Sequence, residues 1–230
     1  MTLHFAKAAE LLIPSLFHGF GVVIQATVLG FLLATVLGMI IAIGRLSTIK
    51  IVKGILYLYL ELIRGTPLLV QLVYIYYVVP LLLNLIASMF GFKTNIQIAS
   101  VTAGILGLGI NYGCYMSEVV RAAILSIDKG QTEAALVLGF GKYEALFRIV
   151  MPQALRSIIP SLGNYLVMMV KDTSLLAYVA VNELLLRTQN FASQTFLTIE
   201  SYTFLAIAYL IISIPLSYFV KFIEYRLKDK

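Results

Sequence analysis

Long, largely uncharged runs separated by short polar stretches set the pattern of this chain. The runs cover about 16–43, 66–86, 96–120, 158–182 and 201–222. None alternates with a period of two, and each is longer than the ~9–11 residues of a membrane β-strand. The predicted elements are therefore helices about one bilayer long. Gly65-Thr66-Pro67 marks a break, with Pro67 suited to a first helical turn. Between that break and the first run, Ile51 to Ile63 is amphipathic and carries Tyr57 and Tyr59, which suit a membrane interface. Pro80 is expected to kink or end the second run, and a second short helix near Tyr143 to Ile149 is expected to stop before Pro152.

Composition strengthens this picture. Of 230 residues, 60% are hydrophobic and 12% charged, against about 25% charged in a soluble domain. Mean hydropathy is +0.95. The chain reads as an all-α integral membrane protein with five transmembrane helices, because only helices or closed barrels satisfy the backbone in lipid. After Glu10 no charge appears until Arg45, too long a run for the ~7–15 apolar residues of a signal peptide, so a retained span is expected. The net charge of +6 does not point to nucleic acid, since basic residues in such a protein set topology. Arg45, Lys50, Lys53 and Arg64 follow the first run. Arg121, Lys129, Lys142, Arg148 and Arg156 follow the third, and four more basic residues, ending in Lys228 and Lys230, close the chain. The opposite side has Lys7, Lys93 and Arg187. This bias places the N-terminus outside and the C-terminus in the cytoplasm of a cell-membrane protein.

Candidate chemistry lies in two places. The first is the polar block 128–152, on the cytoplasmic side. Asp128 is a candidate helix cap, Glu133 sits in the first turns, Ala134 and Ala135 are small enough for close approach by a partner, and Gly139 and Gly141 end the helix. An ordinary amphipathic surface loop is the plainer reading.

The second comprises the polar residues within the spans. Asn111, Tyr115 and Glu118 fall roughly on one helix face, as the lining of a polar cavity would. Lys171 and Asp172 lie inside the fourth run, where a charge costs about 2.5–3.5 kcal/mol and turns toward protein or water. Being adjacent, they point about 100° apart. Either Asp172 caps a half-helix starting at Thr173 beside a solute path, or the two charges are satisfied by Glu118 or Arg64. Glu61 and Arg64 share an i, i+3 spacing and are expected to hold the elbow before Pro67; Gln71, one turn later, is a cavity candidate. Glu118 could accept an ammonium, and Arg64, Lys171 or a broken-helix N-terminus could donate to a carboxylate. Cys114 has no partner cysteine, and His4 and His18 form no metal constellation.

Glu133-Ala134-Ala135, three residues, Gly139, nine residues, Ile149, two residues and Pro152 resembles the EAA motif in permease subunits of ATP-binding-cassette importers. Met151 stands where the family usually has leucine, a volume-conserving change. The stretches 61–71, 117–121, 126–131, 152–156 and 171–175 resemble the polar amino-acid branch of that family, over about Gly19 to the C-terminus. The resemblance implies a type I importer fold, a dimer of permease subunits (homo- or heterodimer), and a coupling helix clasped by cytoplasmic ATPase subunits through Glu133, Ala134, Ala135 and Gly139. It also implies an extracellular or periplasmic amino-acid-binding protein as partner. No G-x-x-x-x-G-K-[ST] loop occurs in the chain. ATP and magnesium are thus expected on the partner ATPase, with no cofactor or catalytic residue on this chain. An ion-coupled secondary amino-acid transporter is the alternative.

Overall fold

The computed structural model describes residues 3–228; Lys230, counted in the basic tail, lies outside them. The described residues are helical, with no strand among them. The first run lies within α1 (Phe5–Leu46), followed by α2 (Lys50–Arg64). The second run is a rod built of α3 (Leu68–Val73), a π-helical turn over Tyr74–Val78, and α4 (Val79–Met89). The third is α5 (Ser100–Ser126). The polar block holds α6 (Lys129–Val137) and α7 (Lys142–Ala145), then a second π turn, Leu146–Val150. The fourth run is α8 (Met151–Asp172), continued by a 3-10 helix over Thr173–Val179. After α9 (Leu184–Thr195), the chain closes with α10 (Thr198–Lys228).

Pro152 departs from expectation, and Pro80 takes the milder of its two expected outcomes. Pro80 does not end the second rod, and no helix stop precedes Pro152. In both places a π turn comes just before the proline. The Val79 N–H reaches back five residues to the Tyr74 carbonyl, and the Met151 N–H does the same to Leu146. The widened turn relieves the clash between the proline ring and the preceding carbonyl, so the helix bends and continues.

Among the described residues, three rods are long and apolar enough to cross a membrane by length and composition: Phe5–Leu46, Leu68–Met89 and Thr198–Leu227. α5 carries more polar and small residues and is the most buried of the rods, and α8, also more polar, packs against it with one face. α1 and α5 run parallel. Gly30 faces Leu108 while Gly38 faces Met116, and in return Gly109 receives Leu33 and Gly113 receives Leu37. Each glycine on one helix is a socket for a large side chain on the other, which brings the backbones close. α8 runs antiparallel to α5, with Ala154 and Ile158 near Val120 and Ile124 and with Met169 near Leu108. α10 returns along α8, with Val220 at Gly163 and Leu205 and Ala208 beside Val170. The end of α1, the α6–α7 segment and the end of α10 thus share one end of the bundle.

At the other end, the His4 backbone N–H donates to Glu200 Oε1 at 2.7 Å. Glu183, fully buried, caps α9 by accepting from the Leu185 and Leu186 amides at 2.8 and 2.9 Å, and it accepts from the Tyr209 hydroxyl at 2.9 Å.

The glycine sockets make a direct prediction. A Cβ at Gly109 would lie 2.5 Å from Leu33 Cδ2, whereas one at Gly21 would meet nothing within 4 Å. Gly109→Leu is expected to destabilise the protein by about 1–3 kcal/mol through overpacking. Gly21→Ala is expected to match wild type or exceed it. Thermal unfolding in detergent micelles checks both, and equal melting of the two variants would refute the socket account.

Candidate functional site

The break before Pro67 opens a cavity of about 570 Å³ between α2, α3, α5 and α8. Its walls bring together Arg64, Asn111, Tyr115 and Asp172, which the sequence had marked, with Tyr112 and Tyr165, which it had not. Asp172 accepts the Tyr112 hydroxyl at 2.7 Å. The Tyr112 and Tyr165 rings meet edge to face at 6.0 Å, and the Arg64 guanidinium lies 5.9 Å from the centre of the Tyr115 ring. The cavity therefore presents one cation and one carboxylate between aromatic walls, the complement of a zwitterion.

A signal for the missed tyrosines was present. Tyr165, Met168 and Asp172 follow an i, i+3, i+7 spacing and all three line the cavity, so Asp172's own helix face already led to Tyr165. Tyr112 follows Asn111 directly on α5.

Other marked residues do different work. Gln71 is buried and does not line the cavity. Its amide donates to the Ile63 carbonyl at 2.6 Å and to Thr66, and its oxygen accepts from Asn111 at 3.1 Å. It staples the broken helix, because the break leaves carbonyls of the last α2 turn without helical partners. Thr173 is buried, with its hydroxyl spent on the Val170 carbonyl at 2.6 Å. Asp172 makes no side-chain cap to the 3-10 turn that follows. Lys171 is exposed on the outside of the chain and is absent from the cavity wall.

Glu118 does not line the cavity either. It is the hub of three arginines: Arg45 at 2.5 Å, Arg64 at 3.3 Å and Arg121 at 3.5 Å. Arg64 therefore joins α5, and no ion pair to Glu61 forms among the described residues. The carboxylate ties α1, α2 and α5 and aims Arg64 at the cavity.

At the end of the bundle, Asp128 caps α6 by accepting the Gly130 amide at 2.6 Å. Gly139, at φ +88°, closes α6: its amide returns to the Leu136 carbonyl and that of Phe140 to Ala135, both at 3.0 Å. This paired closure needs a left-handed residue, which glycine adopts without strain. Ala135 is buried inside the chain and is not open to a partner. Glu133 and Ala134 are exposed, next to Val137 at 88% and Leu138 at 77% exposure. Large apolar side chains this bare at a helix end make the segment a candidate contact surface.

Residues 34–229 match the family of binding-protein-dependent transport system inner membrane components. The chain belongs to this family. The glutamine transport system permease protein GlnP of Escherichia coli (strain K12) is 34% identical over 216 residues, which is 94% of both chains. The L-cystine transport system permease protein TcyB of Bacillus subtilis (strain 168) is 35% identical over 181 residues, 79% of this chain and 72% of the relative. A solved chain from an amino acid ABC transporter with histidines superposes with a TM-score of 0.83 at 31% identity, covering 98% of this chain and 100% of that one. The family's members are inner membrane transport components, and the fold is that of an ABC importer permease. The ion-coupled alternative gains no support from these relatives.

Proposed function

We propose that this chain is the membrane-spanning subunit of an ATP-driven importer of polar amino acids and that the cavity at Arg64 and Asp172 is where the solute passes. The observation that carries the substrate class is the pairing of those two opposite charges in one aromatic-walled cavity. An amino acid needs an acceptor for its ammonium and a donor for its carboxylate, and Asp172 and Arg64 supply them.

In this reading the five rods are the five spans, with the N-terminus outside and the α6–α7 end in the cytoplasm, as the basic residues at that end favour. A second permease subunit covers the face bearing Lys171, since an exposed ammonium within a span does not face lipid. An extracellular or periplasmic binding protein delivers the solute. Cytoplasmic ATPase subunits, which hold the ATP and magnesium, clasp α6 through Glu133, Ala134, Val137 and Leu138, with Gly139 shaping the turn. Their closure moves α6, and the rods tilt to open the cavity to the other side.

One experiment tests both ends. In proteoliposomes holding the permease, its ATPase and the binding protein, uptake of a polar amino acid is expected to follow ATP and to survive collapse of ion gradients. Glu133→Lys is expected to lower ATPase retention and uptake at least about tenfold while membrane insertion stays normal, because it reverses the charge at the centre of the docking face. Uptake that persists without ATP but disappears with the ion gradient defeats the reading. Full activity of Glu133→Lys removes α6 as the coupling element.

A further inference from the structure

The end of the bundle that holds α6 contains a second cavity, of about 700 Å³. It lies between the end of α1, the start of α2, the end of α5, and α6 with α7. Lys129 and Lys142 both line it, together with the hydroxyl residues Ser47 and Thr48, and no carboxylate does. Neither lysine forms an ion pair among the described residues. Of the nearby acids, Glu144 pairs with Arg148 at 3.1 Å, Asp128 accepts the Gly130 amide, and Glu133, one turn from Lys129 on α6, lies outside the cavity wall. Two cations therefore share one cavity without a counter-charge, and an anion completes it.

The rest of the wall decides which anion. It is mainly aliphatic, including Ile43, Leu125 and Leu146, and a free inorganic anion has no use for such a surface. Val52 carries the wall onto α2, where Ile51, Ile55, Leu58 and Leu62 stand 60–74% exposed at helical spacing. An apolar helix face continuous with a cationic cavity matches a molecule with an anionic head and long hydrocarbon chains.

The ATPase surface lies on a different side of α6. Lys129, Thr132 and Leu136, at i, i+3 and i+7, line the cavity, whereas Glu133, Ala134 and Val137 do not.

We propose that this cavity seats one anionic phospholipid, with its phosphate between Lys129 and Lys142 and its acyl chains along the aliphatic wall and α2. The lipid braces α6 against α1 and α5, so the bilayer itself becomes part of the coupling between motor and spans. This seat rests on membrane insertion and not on which solute is carried.

The test uses the complex of permease and ATPase in detergent micelles, titrated with phosphatidylglycerol or phosphatidylcholine and read by native mass spectrometry. One phosphatidylglycerol per permease is expected to survive activation that strips phosphatidylcholine. Lys129→Gln with Lys142→Gln is expected to weaken that retention roughly thirtyfold, since each lysine near an anionic lipid contributes about fivefold. Equal retention of both lipids, or unchanged retention by the double variant, overturns the proposal. Displacement by excess inorganic phosphate also overturns it and makes the cavity a site for a soluble anion.

If the double variant does not assemble, amine acylation of the wild-type complex gives the answer. Phosphatidylglycerol should protect Lys129 and Lys142 where phosphatidylcholine does not. Equal labelling under both lipids refutes the seat.

Discussion

Glu118→Gln is expected to lower stability by about 2–4 kcal/mol and to reduce transport further than that loss of folded protein explains. The carboxylate holds Arg45, Arg64 and Arg121 at once. Removing one partner of a buried ion pair costs about 3–5 kcal/mol, because the other charge is left uncompensated. Here Glu118 is 30% exposed and Arg45 17%, which reduces the figure, but three guanidinium groups lose their counter-charge together. Arg121→Gln should cost far less, about 0.3–0.5 kcal/mol, as for other i, i+3 pairs within one helix. Arg45→Gln combined with Glu118→Gln should be less damaging than the sum of the two changes, with a coupling of about 0.5–3 kcal/mol. Thermal unfolding of the four proteins in detergent measures this. Strict additivity would show that Glu118 is not the shared partner. The transport deficit has a separate origin: without Glu118 the Arg64 side chain is free to leave the cavity wall.

This hub shows what a sequence can reveal and what it cannot. The hydrophobic runs located the rods, because lipid leaves little choice of backbone structure. Glu118, Arg64 and Asp172 stood out because charges are rare in such runs. Who pairs with whom was hidden, since partners on three helices are related only by packing. Arg64 sits three residues from Glu61 yet reaches a carboxylate 54 residues away. Gln71 shared the spacing of a cavity residue but was taken by the carbonyls that the nearby break exposes, a demand created only by the bend. The missing stop before Pro152 has a similar origin. A proline rules out the regular α-turn before it, but a π turn removes the conflict, and no residue pattern around Tyr74 or Leu146 announces one. The EAA stretch was legible as a helix closed by glycine. Its direction was not, and burial of Ala135 leaves the exposed face to Glu133, Ala134 and two apolar residues that drew no attention in the sequence.

Asp172→Asn is expected to lower uptake at subsaturating solute by about tenfold to a hundredfold while leaving the fold intact. Among the residues lining the cavity at the break, Asp172 is the one carboxylate. Asparagine keeps its size and can still accept the Tyr112 hydroxyl, so packing and the existing hydrogen bond survive. What is lost is the negative charge opposite an incoming ammonium. Hydrogen bonds to charged groups contribute about 1.5–3 kcal/mol, against about 0.5–1.5 kcal/mol for neutral ones. The charge-neutralising change should therefore exceed Tyr112→Phe, which removes one hydroxyl and leaves the carboxylate in place. Solute-stimulated ATP hydrolysis by the reconstituted complex separates this role from a structural one. Asp172→Asn should keep its unstimulated rate and its melting temperature while the solute concentration giving half-maximal stimulation rises. If Asp172→Asn and Tyr112→Phe shift that concentration equally, the hydrogen bond between them matters and the charge does not. If neither shifts it, the cavity between Arg64 and Asp172 is not where the ammonium is held, and the solute meets the permease elsewhere.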